Sequence, residues 1–529
     1  MCAAQALAEK TIEPGKVAHL PKWAAAALAA FLLLATILGI YLWRHWPYRG
    51  REVVPTLAET FSSTVQVGSY KRFYFPQPGF EAHDVTLRLH GSTNIPPLAT
   101  MDSLRAEGSY LDFIFQPGHL RALTIGGLHV RIPAAGTPED GTKFLSGPST
   151  PSSTTVDKIT ADGSLLEVET KRGGRPLRFL IHALTLGDVS ASRSMTYRVA
   201  FTNPLPLGEL TSEGRLGPLR RNDLGATELT GRATLTGSNL GVFPAIAGRL
   251  QSEDSFHGTL SRVEVSGTTD VPDFRVGQGQ PEHLATRFHA YVNGMNGSVN
   301  LEKVEATADH TKINASGQID RKQGWRLAIG VPEGRVQDLM RMFLQDGSPV
   351  TGRASMQAEV FVPPDHANFL KSLQLSGTFG VREMHFTHPQ TQQAVDGFSQ
   401  RALGSAAKSK QGEANASTLT VAAADLKAGR VVVRDGIAHF ADLSFSIPGA
   451  HADGVGTYSL LNHHVDTSGS LYMDADLSHA TTGVKALLLK PLDPLFRKKH
   501  VGTVAPVHLG GTYDHPILGL QLFDQKSKK

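Results

Sequence analysis

The sequence predicts a mostly β protein, in which a single N-terminal transmembrane helix precedes an elongated antiparallel β meander or groove with a few short helices. Three observations lead to this fold class. An uncharged apolar segment lies near the N-terminus, polar and apolar residues alternate along most of the remaining chain, and turns containing Gly, Asn or Asp separate the alternating runs.

The composition limits the classes of protein that this chain can belong to. Its 529 residues are 40% hydrophobic and 19% charged, which excludes disorder for the bulk of the chain and predicts more than one folded unit. The net charge of +4 gives no indication of a nucleic-acid partner. Cys2 is the only cysteine, so an intramolecular disulfide and a cysteine-based metal cluster are excluded.

Residues 23–43 form the predicted membrane anchor. They carry no charge and no proline, and as a helix they would span about 31 Å, which matches a hydrocarbon core of about 30 Å. A cleaved signal peptide is the alternative, but its apolar region is usually shorter and the sequence offers no small-x-small cleavage site. Three basic residues on each side leave the orientation open. The predicted anchor residues are Trp23, Phe31, Leu32, Leu33, Leu34, Ile37, Leu38, Ile40, Tyr41 and Trp43.

Alternation with a period of two dominates beyond the anchor. In residues 465–477, apolar or small residues occupy every second position from 469 onward, which indicates one apolar and one solvated face. Strands are also predicted at 228–236, 260–266, 298–307, 312–319, 325–331, 373–379 and 440–447. Helices are predicted at 56–63, 335–344, 394–410 and 481–489, and a flexible Pro/Gly/Ser/Thr-rich loop at 134–157.

Motifs that would indicate catalysis do not occur in the sequence. It contains no HExxH, no GxSxG and no GxxxxGK[ST] pattern. His463 and His464 are adjacent, so on a strand they point to opposite faces. Gly454-Val-Gly456 begins like a dinucleotide fingerprint but lacks its third glycine. We therefore predict a protein that is not an enzyme, with no cofactor and no metal site.

The apolar face of the meander leaves two interpretations open. It forms either the core of a closed sandwich or an open groove that shields lipid tails from water, with a gain of about 0.8 kcal/mol per buried CH₂. The two interpretations differ in whether other parts of the protein cover the apolar face. The residues predicted to contact lipid in the open form are Leu443, Phe445, Ile447, Leu471 and Met473.

Several strand–turn segments resemble the AsmA family of bacterial inner-membrane proteins, in particular members with the AsmA-like C-terminal region. The similarity covers most of residues 20–522, and its motifs are turns and strand edges. They lie at 65–70 (VQVGSY), 75–80 (FPQPGF), 248–260, 265–274, 291–301, 443–449 (LSFSIPG), 456–460 and 510–516 (GGTYDHP).

The resemblance implies a cytoplasmic tail (1–22), a transmembrane helix (23–43), a periplasmic N-terminal β section (52–133), the loop (134–157), an AsmA-like β-rich region (158–522) and a basic tail (523–529). It further implies a place in the bacterial inner membrane and a role in outer-membrane and envelope biogenesis. Phospholipid is the expected ligand, bound or conducted along the groove, with envelope proteins as partners. The alternative is an envelope scaffold with a closed β core that transports nothing.

Overall fold

The structure is a computed structural model, and it describes a defined part of the chain. The described residues are 36, 63–89, 97–116, 118–132, 154–169, 176–190, 192–220, 223–243, 246–320, 322–345, 347–364, 369–403, 422–462, 464–474, 497–498, 502–512 and 515–520. The predicted helix at 481–489 lies outside these residues, and so does the predicted helix at 56–63 except for its last residue. That residue, Ser63, begins a strand.

Strands make up most of the described chain. They are β1 (Ser63–Gln66), β2 (Ser69–Phe73), β3 (Gly79–Leu89), β4 (Ala99–Glu107), β5 (His119–Gly126), β6 (His129–Ile132), β7 (Thr155–Thr160), β8 (Ser164–Val168), β9 (Leu177–Val189), β10 (Met195–Pro204), β11 (Leu207–Leu216), β12 (Glu228–Asn239), β13 (Ile246–Ala247), β14 (Arg249–Thr259), β15 (Arg262–Val276), β16 (Glu282–Val292), β17 (Val299–Ala308), β18 (Thr311–Asp320), β19 (Gly324–Arg335), β20 (Val350–Val362), β21 (Gln374–Phe386), β22 (Ala424–Arg434), β23 (Ile437–Ile447), β24 (Ala450–Ser459), β25 (His464–Met473), β26 (Arg497–Lys498), β27 (Gly502–Thr512) and β28 (His515–Leu520).

Helices are few and short in the described residues. They are α1 (Tyr110–Phe115), α2 (Val336–Arg341), α3 (Phe369–Ser372) and α4 (Pro389–Ala402), together with two 3-10 turns, Leu224–Ala226 and Leu240–Val242. The helix expected at 335–344 corresponds to α2. The helix expected at 394–410 begins five residues earlier, at Pro389, and ends at Ala402. Proline is favoured at the start of a helix, because a backbone N–H in the first turn has no acceptor within the helix.

All 28 strands belong to one hydrogen-bonded sheet. Most neighbours in the sheet are neighbours in sequence and run antiparallel, from β9 to β12 and, after the short β13, from β14 to β25 and on to β27 and β28. The prediction of a mostly β fold built as a long antiparallel meander is therefore confirmed. Each of the eight strand predictions overlaps an observed strand, and the one at 465–477 corresponds to β25.

Two pairings depart from the antiparallel rule. β5 runs parallel to β7, and β6 runs parallel to β8. A parallel pair needs a long connection that returns the chain to the starting end of the first strand. The chain between the strands of each pair includes residues 133–153, which lie outside the described residues and contain most of the predicted loop at 134–157. The strands on either side of the loop are hydrogen-bonded to each other, and the last residues of the predicted loop, from Thr155, belong to β7.

Irregular registers keep apolar side chains on one face where strict alternation would break. Pairing between β23 and β24 shifts between Phe440 and Leu443, which are three residues apart. Both side chains nevertheless pack against the same buried group, which contains Ala428 and Val431. A β-bulge inserts one residue and returns the following side chain to the original face.

Buried side chains form separate clusters along the sheet. One lies near the N-terminal edge and includes Val65, Phe80, Val85 and Leu104. A second joins α2 and α4 to β20–β25, and a third lies on β22 and β23. The described strands all belong to one sheet, and the close strand contacts join hydrogen-bonded neighbours.

Candidate functional site

The candidate site is the surface of the sheet that we call the apolar face. It is the side that carries Leu443, Phe445 and Ile447 of β23 together with the residues that face them across the neighbouring strands. On β17, Val299, Leu301, Val304 and Ala306 lie on this side and are half-buried, whereas the alternating polar residues are exposed. The same contrast holds on β18. This half-buried apolar row is the surface that we consider as a binding site for a ligand.

All five residues predicted to contact lipid lie on this face. Phe445 faces Ala452, which faces Leu471, and Ile447 faces Ala450, which faces Met473. Leu443 lies opposite Gly454 on β24. The register therefore places the five side chains in adjacent rows on β23 and β25. Whether they contact lipid stays a prediction.

Burial divides these five residues into two groups. Ile447 is 9% exposed and Met473 is 3% exposed, and both belong to the cluster that includes Val336 of α2 and Ala402 of α4. The Ser399 hydroxyl of α4 donates a hydrogen bond to the Pro448 carbonyl oxygen at 2.7 Å, which ties the helix to this end of β23. Ile447 and Met473 are thus core residues beneath a helix.

The other three residues remain accessible. Leu443, Phe445 and Leu471 are half-buried. Phe445 and Leu471 pack against the edge of the helix-covered cluster, whereas Leu443 packs against the cluster on β22 and β23. Sequence alternation could not separate the two groups, because it reports the face of a residue and not what packs above that face. The part of the apolar face available to a ligand therefore begins at the row of Phe445 and Leu471.

Glycines bring the backbones of β24 and β25 close together beside Leu443. A Cβ at Gly454 would lie 2.5 Å from the Ser468 carbonyl oxygen, and one at Gly469 would lie 2.2 Å from the Asp453 carbonyl oxygen. Gly454 and Gly456 lie inside β24 and not in a strand-to-helix turn, so their spacing has no relation to a dinucleotide loop. Glycine is therefore required at these two positions for β24 and β25 to approach each other in this way.

Polar residues interrupt the apolar face between β10 and β15. Asp254 faces Ala233 on one neighbouring strand and Gly267 on the other, and it accepts a hydrogen bond from the Ser252 hydroxyl at 2.8 Å. Burial raises the pKa of Asp254, although the Ser252 hydrogen bond opposes this. Burial likewise raises the pKa of Tyr197 on β10, against a hydrogen bond with Ser212. The apolar stretch suited to hydrocarbon therefore lies on the C-terminal side, from β17 to β25.

The structure also brings together three potential metal ligands that the sequence did not indicate. Ligand atoms of Asp309, His310 and Asp338 lie within 4.8 Å of one another. The Asp338 carboxylate, however, already accepts hydrogen bonds from the Thr311 hydroxyl at 2.9 Å and from the His310 backbone N–H at 3.2 Å. These bonds give it a structural role, since it joins α2 to the turn between β17 and β18.

We expect Asp338→Ala to destabilise the protein by about 1–3 kcal/mol, because a buried hydroxyl and a backbone N–H would lose their acceptor. Asp338 is 2% exposed, so water cannot replace the carboxylate without rearrangement. Urea unfolding of the variant and of Asp309→Asn, a change at an exposed position whose positive φ asparagine tolerates, provides the comparison. Equal stability of both variants would contradict this role of Asp338.

On the opposite, polar face, several histidines pair with carboxylates. The His289 ring lies between Glu264, at 3.0 Å from Nε2, and Glu302, at 2.8 Å from Nδ1. The hydrogen bond with Glu264 raises the pKa of His289, and the negative charge of Glu302 adds to the increase. The same hydrogen bond lowers the pKa of Glu264.

This pairing predicts a pH dependence with a defined sign. His289 stabilises the fold fully below its unfolded pKa of about 6.5, and this contribution is lost as the pH rises through the higher folded pKa. Glu264 acts oppositely, and its contribution is lost as the pH falls through its lowered pKa. An NMR titration should place the His289 pKa above 6.5 in the wild type and closer to 6.5 in Glu264→Gln. Identical titration curves would contradict the assignment.

Clefts on the polar face are lined by charged residues. One of about 650 Å³ lies across β12 to β18 and includes Arg287, Glu305 and Lys312. The Glu305 carboxylate has a lowered pKa, chiefly because it accepts a hydrogen bond from Lys303. Charged, mutually paired walls do not suit hydrocarbon, so we assign no lipid to this cleft.

The ten predicted anchor residues all lie outside the described residues. Among the residues that the structure describes, no helix combines the length and apolar character needed to span a membrane. No protein-family model matches the chain, and no curated protein matches it either.

Proposed function

We propose that the chain binds phospholipid by laying acyl chains along its apolar face, with the headgroup left in water. The observation that carries this proposal is the apolar face itself, which continues across neighbouring strands of one sheet and includes half-buried apolar side chains. A contiguous apolar patch that extends over several strands usually marks a binding site.

The dimensions of the accessible region support an acyl chain as the ligand. Neighbouring strands lie about 4.8 Å apart, so the five strands β22, β23, β24, β25 and β27 cover about 19 Å. An acyl chain in a bilayer reaches about 15 Å, half of the hydrocarbon core. Each CH₂ that leaves water contributes about 0.8 kcal/mol. One acyl chain therefore fits across these strands.

The wider biological setting belongs to the same proposal. With residues 23–43 as an inner-membrane anchor and the sheet as a groove in the periplasm, the chain would support envelope and outer-membrane biogenesis by holding or conducting phospholipid. The apolar anchor segment and the resemblance of the strand–turn segments to AsmA proteins support this setting. A passive mechanism needs no catalytic residue, because acyl chains slide between equivalent apolar rows.

Site-specific photo-crosslinking in the full chain tests the proposal. A photoreactive residue at Leu443 or Leu471 is expected to form an adduct with phospholipid in membranes, detected by mass spectrometry. The same residue at Ser468 or His439, which are exposed on the polar face of β25 and β23, serves as the matched control. Equal adduct yields at all four positions, or no adduct at any of them, would overturn the proposal and favour the scaffold.

A further inference from the structure

A protruding group of large apolar side chains, which we call the aromatic tip, lies near the N-terminal edge of the sheet. It consists of Tyr74 and Phe75 in the turn between β2 and β3, and of Tyr110, Leu111 and Phe115 in α1. Phe75 is 88% exposed, Phe115 is 76% exposed and Leu111 is 67% exposed. Large hydrophobic side chains that are this exposed, and that lie together in two adjoining segments, indicate a surface that binds a partner.

The aromatic tip is held together by defined contacts. The Tyr110 hydroxyl donates a hydrogen bond to the Tyr74 carbonyl oxygen, which joins α1 to the turn between β2 and β3. The Gly108 backbone N–H donates to the Pro78 carbonyl oxygen at 2.8 Å. The Ser109 hydroxyl caps α1 by accepting from the Leu111 N–H at 3.3 Å. Two segments far apart in sequence are thereby fixed as one convex projection.

The charges around the aromatic tip favour an anionic surface. Lys71 and Arg72 precede it on β2, and both are exposed. The nearby acidic groups have partners, since Glu107 pairs with Arg105 at 2.7 Å and Asp112 pairs with His119 at 3.1 Å. The guanidinium of Arg105 also lies 4.8 Å from the centre of the Phe73 ring. Glu81, which faces Lys71 on β3, pairs with His83 at 3.5 Å, so Lys71 and Arg72 remain as the basic side chains that can meet an anionic surface.

We infer that the aromatic tip docks on a phospholipid membrane, with its aromatic and leucine side chains in the interfacial layer and its lysine and arginine side chains on anionic headgroups. Tyrosine and phenylalanine suit this layer because their rings are apolar, and basic residues beside them are attracted to anionic lipid. A convex projection inserts into a deformable lipid surface, whereas a stable protein partner requires a broader complementary area. This inference does not rest on lipid binding by the apolar face.

The position of the tip gives the docking a structural consequence. Ser63, at the start of β1, pairs with Leu89 at one end of β3, whereas the tip follows Phe73, which pairs with Gly79 at the other end. β3 has 11 residues, so the two ends lie about 35 Å apart. The aromatic tip is thus a membrane contact distinct from the point where the chain enters the sheet.

Depth-dependent fluorescence quenching in the full chain tests the inference. Cys2 is the only cysteine, so a Cys2→Ser background allows single labels at Phe75→Cys or Leu111→Cys, with Thr307→Cys on the exposed polar face of β17 as control. The labelled protein is reconstituted in vesicles of mixed zwitterionic and anionic phospholipid that carry bromine on their acyl chains. Labels at 75 and 111 are expected to show blue-shifted emission and strong quenching, and the label at 307 neither.

A charge variant separates docking from the affinity of the label itself. Combining Lys71→Glu and Arg72→Glu with the label at 111 is expected to cause a loss of most of the quenching in anionic vesicles at low salt. Circular dichroism confirms that the variant is folded. Quenching at 75 and 111 no stronger than at 307, or quenching unchanged by the charge variant, would overturn the inference.

Discussion

Replacing Leu443 and Leu471 together by glutamate is expected to abolish phospholipid retention while the sheet stays folded. Both side chains are half-buried on the apolar face, so the new carboxylates can reach water in the unliganded protein. A bound acyl chain would bury them, at a cost of at least about 3 kcal/mol. That cost corresponds to roughly a hundredfold weaker binding or more.

The matched control places the same charges on the other face of the same strands. His439→Glu and Ser468→Glu change exposed positions on β23 and β25, and they are expected to retain lipid at the wild-type level. Phospholipid is measured by mass spectrometry after purification, and the fold by circular dichroism. Loss of lipid in both double variants, or in neither, would contradict the assignment of the apolar face.

Met473→Ala is expected to destabilise the protein by about 2–5 kcal/mol, because the substitution leaves a cavity in a packed cluster. Met473 is 3% exposed and packs in the cluster that α2 and α4 close. Val455→Ala on the neighbouring strand removes a side chain that is 52% exposed and should change the stability by less than about 1 kcal/mol. Urea unfolding measures both.

The outcome also decides between the two groups of predicted lipid-contacting residues. If Met473 is a core residue, its truncation lowers stability and leaves the lipid affinity of the folded protein unchanged. A Met473→Ala variant with wild-type stability but reduced phospholipid retention would show that the methionine contacts lipid and that the helix does not cover it.

The alternation of residues predicted the strands well, because a period of two reports directly which side chains share a face. It failed where the chain departs from local rules. The parallel pairing of β5 with β7 depends on a connection whose path no local pattern records. The register shift beside Phe440 depends on the partner strand, so the side on which Phe440 lies could not be read from alternation alone.

For the candidate site, too, the sequence predicted which residues share a face but not which contacts cover them. The sequence placed Leu443, Phe445 and Leu471 on one apolar face, and the register agrees. The covering of Ile447 and Met473 by α4 depends on contacts between residues far apart in sequence. The grouping of Asp309 and His310 with Asp338 likewise arises only when α2 folds back beside the turn. Such long-range contacts leave no spacing signature in a single sequence.

The most direct test of the proposed function is a count of phospholipid molecules retained by the β part of the full-length chain. A protease site placed within residues 52–62 allows the protein to be purified intact and the anchor to be removed afterwards, so lipid held by the anchor is discarded. We expect stoichiometric phospholipid to remain with the β part, as measured by mass spectrometry. A folded β part that is free of phospholipid would contradict the proposal and favour a scaffold that binds other envelope proteins.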